Sequence, residues 1–333
     1  MLVHLARLND PYLDQPVASF AMHAATDKVR AHRLTDSPGS ADVILFTQCH
    51  MLQNDWRLKR LTRHPLARAF PQKAMVYNEL DRPWCALPGV YVNMPRRHFA
   101  PQHQRAWGYF TPPPGERAQA PDLLFSLVAS NTSPCRRPLF ALQHADAIVE
   151  EVHGFRFWDS TSELFEARRA NFQTTLARSR FVLCPRGNGT SSVRLYEALA
   201  IGAVPVIIAD DWLPPPGPAW EQFSIRWPEG KIDGLLQMLE ARDADWPQLS
   251  REARRAYEEH FSPDVYFHHV ASLCEDLLAH RSATAFRAHL DRYALELAAR
   301  SASDRVKYTS IAARERAKRF VRGAVTHPRP GRD

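Results

Sequence analysis

Arg186, Gly187, Gly189, Ser191, Ser192, Arg194 and Glu197 crowd one short stretch of a 333-residue chain, PRGNGTSSVRLYE. Their types suit one task, holding a diphosphate with a ribose behind it. An arginine can grip a phosphate bidentately, and backbone N–H groups at a helix start attract anions. Arg194 falls in the first turn of a predicted helix, where a cation opposes the helix dipole and gains nothing locally. An anionic ligand at that point explains the misplacement. Glu197, three residues on, shares the helical face one turn deeper, where a carboxylate can accept hydrogen bonds from ribose hydroxyls. The competing reading is an i,i+3 surface ion pair between Arg194 and Glu197, worth about a few tenths of a kcal/mol. No Gly-Lys-Ser/Thr follows the glycines, so this is not a P-loop, and it is not G-x-G-x-x-G.

The flanking sequence is what would position these groups. Residues 181–184 (FVLC) are a short apolar run stopped by Pro185, as in a buried strand. Gly187 and Gly189 permit turns that residues with side chains resist. Ser191 and Ser192 are N-cap candidates for a helix over Val193–Ile201, and Gly202 closes it as a C′ residue. Residues 204–209 resume as a strand. A parallel strand–helix–strand unit is right-handed, which puts the loop at the carboxyl edge of the sheet, where ligands bind.

Cys184-Pro185-Arg186-Gly187, Ser191-Ser192, Arg194-Leu195-Tyr196-Glu197-Ala198-Leu199, Gly202, Pro205-Val206-Ile207 and Asp210-Asp211-Trp212 together resemble the exostosin family of glycosyltransferases. The resemblance is dense over residues 122–228 and loose before them. It implies an α/β chain of GT-B type, two Rossmann-like domains facing a cleft, with C-terminal helices crossing back to the first. It implies inverting transfer from a nucleotide diphosphate sugar, with no obligatory metal and no other cofactor. It places Arg186 and Arg194 on the donor diphosphate, Glu197 on the nucleoside, and Ser130 with Arg136 and Arg137 in a second donor loop. Solvated charge is the alternative for that arginine pair. The implied division is an acceptor-side domain over 1–115, a donor domain over 116–275, and helices with a basic tail over 276–333.

Inversion needs a group to take the proton of the attacking hydroxyl. GT-B logic puts it on the first domain, where Glu79 and Asp81 follow a predicted strand. His50 is a third candidate, and an ordinary surface turn is the competing reading for each. The expected acceptor is a glycan or glycolipid of capsule, lipopolysaccharide or exopolysaccharide synthesis. A non-catalytic sugar-nucleotide or glycan binder on the same fold is the alternative. Asp210-Asp211 lacks the D-x-D arrangement of metal-dependent transferases and reads as a turn or cap. Cys184 precedes a cationic loop that would lower its pKa, but its place in an apolar strand favours packing.

Composition sets the frame. Apolar content of 45% and charged content of 24% are ordinary globular values, and the length suits two domains. No apolar run is long enough for a membrane span, and the first residues lack a secretory pattern, so a cytoplasmic setting is expected. Five scattered cysteines support neither a disulfide framework nor zinc. The net charge of +7 sits in residues 305–333, which hold nine Lys/Arg against two acids and leave 34 of each elsewhere. Such a tail suggests contact with an anionic membrane surface, against a plain solvated end; a near-neutral body argues against nucleic acid.

Further strands are expected at 42–47, 73–77, 89–92, 122–130, 147–152 and 223–227. Helices are expected at 55–69, 165–179, 232–240, 249–260, 265–281 and 285–300. Residues 111–115 (TPPPG) read as the linker.

Overall fold

Runs such as Val43–Phe46 (VILF) and Val204–Ile208 (VPVII) contain no polar position. They are stable only where both faces are covered, as in a parallel sheet between helical layers. The computed structural model describes residues 1–8, 14–47, 59–81, 85–111, 120–153 and 165–280. Its strands are β1 (Leu2–Ala6), β2 (Arg33–Leu34), β3 (Val43–Phe46), β4 (Ala74–Asn78), β5 (Gly89–Tyr91), β6 (Gln104–Ala106), β7 (Leu123–Ala129), β8 (Ala147–Glu151), β9 (Ser179–Pro185), β10 (Val204–Ile208) and β11 (Ile225–Arg226). They form two sheets, ordered β2-β1-β3-β4-β5-β6 and β11-β10-β9-β7-β8. Every pairing in both is parallel. The α-helices are α1 (Asp14–Thr26), α2 (Lys59–Thr62), α3 (Pro65–Ala69), α4 (Phe165–Arg178), α5 (Val193–Ile201), α6 (Leu235–Ala241), α7 (Trp246–Ala256) and α8 (Pro263–His280). None of the described helices is long and apolar enough to cross a membrane.

Each strand expected from an apolar run is present within a residue or two. The strands that sequence reading passed over are β1, β2 and β6, which carry His4, Arg33, Gln104 and Arg105 and lack an apolar run. Helix α1 was also missed. The expected helix at 55–69 is broken: α2 ends at Thr62 and α3 starts afresh at Pro65, capped by His64 Nδ1, which accepts from Leu66 N at 3.2 Å. Proline cannot continue a helix but suits its first turn. Residues 112–115 of the expected linker, the helix at 285–300, His50 and the basic tail lie outside the described residues.

The two sheets share one core. Val3, Val43, Tyr77 and Trp107 belong to the same buried cluster as Val182, Leu195, Tyr196 and Phe261. Helix α8 closes it by crossing to the first sheet. Asp264 O accepts from Lys28 N at 2.9 Å, His32 Nε2 bonds Ser272 Oγ at 2.9 Å, and Arg105 Nε donates to Asp276 at 2.6 Å. Between α7 and α8 a single π-helical turn, Tyr257–Phe261, sets Phe261 against Trp107 and Tyr196. A second cluster lies on the far face of the second sheet, where Phe181, Leu183 and Val206 pack on Leu235, Leu239 and Leu249.

Candidate active site

The β9–α5–β10 crossover forms as its sequence predicts. Helix α5 starts after Ser192, whose backbone is extended (φ −139°, ψ 130°), and ends at Gly202 in the left-handed region (φ 74°). Two local expectations are corrected. Ser192 occupies the cap position, but its hydroxyl makes no capping bond. Neither Gly187 nor Gly189 has a positive φ, so turn geometry does not require them. Gly189 is required by crowding instead. A Cβ there would lie 2.4 Å from Asn93 Oδ1 and 3.1 Å from Asp81 Oδ1. At Gly187 the nearest atom, Arg136 Nη2, is 3.4 Å away, an ordinary contact.

Asn93, from the first sheet's side, holds this loop in place. Its Oδ1 accepts from Ser191 N at 3.0 Å, while its Nδ2 donates to Glu79 O at 3.3 Å and to Tyr109 Oη. One buried amide therefore ties the β9–α5 loop to the strand end that carries both candidate bases. Glu79 sits partly buried just past β4, and Asp81 is exposed two residues on. Desolvation pushes the Glu79 carboxyl up to about 7, with a hydrogen bond from Tyr77 opposing it. A second clasp lies nearby, where Pro95 and Trp212 form an antiparallel bridge, Asp211 O accepts from Arg96 N at 2.9 Å, and the Asp211 carboxylate pairs with Arg97. Asp211 thus links the halves as an anion, which its reading as a turn residue did not foresee.

The arginines divide into three roles. Arg186 lies against Glu229, its Nε donating to both carboxylate oxygens at 2.8 and 2.9 Å, with its side chain 26% exposed. Glu229 also accepts from Asp210 N at 3.0 Å. Arg136, 8% exposed, gives its donors to main-chain carbonyls: Nε to Arg186 O at 2.8 Å, Nη1 to Ser130 O at 2.8 Å and Nη2 to Pro185 O at 3.1 Å. It ties together the loops that follow β7 and β9, and burial lowers it to about 10. Arg194 gives Nη2 to Val128 O and lies 5.7 Å from the Phe172 ring. Its Nε and Nη1 are buried with no hydrogen-bond partner among the described residues.

Glu197 is 8% exposed, so it and Arg194 are not a surface pair. Desolvation raises its carboxyl to about 7, against the opposing charges of Arg194 and Arg169. Cys184 is 2% exposed, and burial drives its thiol up to about 12 despite Arg194 and Arg136. It is a packing residue. Sequence reading missed Asn93, Glu229 and the Arg97–Asp211 pair. Each acts through a partner distant in sequence, and no local pattern marks it.

A right-handed parallel crossover with its cationic loop at the carboxyl edge, facing the strand ends of a second parallel sheet, is the GT-B arrangement. Residues 115–241 match the Exostosin GT47 domain. A probable glucuronoxylan glucuronosyltransferase of Arabidopsis thaliana is 47% identical over 96 residues, covering 26% of this chain and 20% of that protein. A probable glucuronosyltransferase of Oryza sativa subsp. japonica is 40% identical over 75 residues, covering 22% and 18%. The chain thus spans about a fifth of the length of the relatives it matches. Among solved structures, HepE of Anabaena in complex with UDP aligns over 83% of this chain and 99% of its own, with 13% identity and a TM-score of 0.40.

Proposed function

We propose that the chain is an inverting glycosyltransferase that moves a sugar from a nucleotide diphosphate sugar to a glycan or glycolipid acceptor, in capsule, lipopolysaccharide or exopolysaccharide synthesis. The observation that carries this reading is Arg194, a half-buried cation at the start of α5 with two buried nitrogens that lack partners among the described residues. A diphosphate supplies the acceptors those nitrogens lack. Arg186 and the loop backbone complete the charge neutralisation that leaving-group departure requires, so the reading calls for no metal. Glu197 faces the ribose, and Ser130 with Arg136 frames the opposite wall. Glucuronic acid is a reasonable first sugar to test, given the names of the plant relatives. A cytoplasmic setting, with the basic tail at an anionic lipid surface, completes the proposal.

A thermal-shift screen against UDP, GDP, CMP and their sugar conjugates, with and without chelator, tests it. Stabilisation by one nucleotide supports the reading, and none by any of them sinks it. Arg186→Ala is expected to weaken that nucleotide about tenfold to a hundredfold, since a charged hydrogen bond contributes about 1.5–3 kcal/mol. Calorimetric titration showing unchanged affinity would remove Arg186 from the site.

Glu197 gives the reading a pH signature. Its folded pKa lies above the usual value of 4.5, so its stabilising contribution is full below that value and lost as pH rises through about 7. Over the same interval the carboxylate that accepts ribose hydroxyls is formed. Nucleotide affinity is therefore expected to rise with pH while stability falls, and Glu197→Gln should flatten both. Titrations of both proteins across the neutral range check this; parallel pH profiles would exclude a ribose role.

A further inference from the structure

Tyr77, Glu79 and Tyr266 form a chain of oxygen atoms that has one proton too few unless Glu79 is protonated. Tyr77 Oη lies 2.9 Å from Glu79 Oε1 and 2.5 Å from Tyr266 Oη. Tyr266 Oη is 2.7 Å from Gly108 O, and Tyr77 Oη is 3.2 Å from the same carbonyl. Both tyrosines are fully buried, at 1% and 0% exposure, which keeps water from repairing an unmade bond. A phenol has one proton to give, and a backbone carbonyl has none. With Glu79 ionised, Tyr77 gives its proton to the carboxylate. Tyr266 must then leave either Tyr77 or Gly108 O without a donor. With Glu79 protonated, each link is made in one direction, from Glu79 to Tyr77 to Tyr266 to Gly108 O.

We propose that Tyr77 and Tyr266 are positioning residues that select Glu79, rather than Asp81, as the proton acceptor of the transfer step, because its protonation completes their hydrogen-bond chain. The inference rests on the transferase reading. In the step, the O–H bond of the acceptor breaks and its proton passes to a Glu79 carboxylate oxygen. The acceptor oxygen bonds the anomeric carbon, and the pair of the breaking carbon–oxygen bond leaves on the diphosphate. Tyr77 then turns its proton to Tyr266, and Tyr266 turns its own to Gly108 O. Burial acts in the same direction on Glu79. The other titratable groups around the chain are Asp81 and Tyr109 in the loops, Tyr196 on α5 and His23 on α1. The His23 ring is 5.9 Å from Tyr266, and desolvation lowers its pKa.

The test is the carboxylic-acid C=O infrared band of the full chain, followed across the neutral range. Its Glu79 component is assigned by loss in Glu79→Gln and separated from that of Glu197 by Glu197→Gln. Tyr266→Phe keeps the ring contacts with Phe20, His23 and Phe110. It frees the Tyr77 proton for the carboxylate at the cost of the 3.2 Å contact alone, so the Glu79 midpoint should fall by about one pH unit, tenfold in proton affinity. Tyr77→Phe removes the hydroxyl that donates to the carboxylate, so the midpoint should rise. Simple loosening would admit water and lower both. Opposite shifts support the proposal; unmoved midpoints, or shifts in one direction, overturn it. The transferase reading fails separately, if no nucleotide stabilises the wild-type chain, and that result would overturn the catalytic role even with opposite shifts.

Discussion

Arg194→Met is expected to weaken nucleotide binding about a hundredfold while leaving the melting temperature unchanged or higher. Two of the Arg194 guanidinium nitrogens are buried with no partner among the described residues; on the proposed reading a ligand supplies the acceptors, and each charged hydrogen bond contributes about 1.5–3 kcal/mol. The ligand-free fold loses only the bond to Val128 O and gains relief from a desolvated charge, since burial already holds Arg194 below the usual arginine range. Methionine keeps the apolar stem beside Phe172. Calorimetric titration and thermal melting on the same sample give the two signs independently. A lower melting temperature with unchanged affinity would make Arg194 a structural strut and take away the main support for a diphosphate site.

Gly108→Ala is expected to be strongly destabilising. A Cβ at Gly108 would lie 2.2 Å from Tyr196 Cε1 and 2.7 Å from Cζ, inside any van der Waals contact. The Tyr196 ring cannot yield, because it is fully buried with Phe261 5.1 Å away and Tyr109 6.3 Å away. Overpacking of this kind costs about 3 kcal/mol. For a unit of this size that corresponds to a melting temperature lower by roughly 10 °C. Introducing Gly108→Ala into a Tyr196→Ala background should cost far less, since the opposing ring is gone. Additive costs in the double variant would locate the strain elsewhere. Because Tyr196 precedes Glu197 on α5, the single variant should also weaken nucleotide binding.

The crossover was legible because local rules agree along it. An apolar strand, a serine at the cap position, a glycine at C′ and a second apolar strand each occupy the place their chemistry requires, from Ser179–Pro185 through Val204–Ile208. Arg194 was legible for the opposite reason, as a cation breaking the dipole rule. The glycines were read as turn formers, whereas Gly187 meets only an ordinary contact and the crowding at Gly189 comes from Asn93, almost a hundred residues earlier. Separation along the chain likewise hid Glu229 from Arg186 and Tyr266 from Tyr77. Strand β6 stayed hidden because Gln104 is polar yet buried, its side-chain Oε1 accepting from Ala100 N at 2.7 Å. Sequence displays what each residue is and its near neighbours. The partners of a buried polar group are set by the fold.

The shared core also determines what can be exchanged between related chains. The segment matched to the exostosin domain ends at residue 241, yet the buried cluster around Tyr196 is completed by Ala253, Ala256, Tyr257, Phe261 and Tyr266. The borders of inheritance and the borders of folding therefore do not coincide. A segment cut at residue 241 and grafted into another chain would present α5 with an open apolar flank. A transplant that keeps its shape must carry α7, the π turn and α8, and with α8 comes the surface that fits its own first sheet. The two halves of this chain share one core, so a recombinant that mixes them with others must repack the seam.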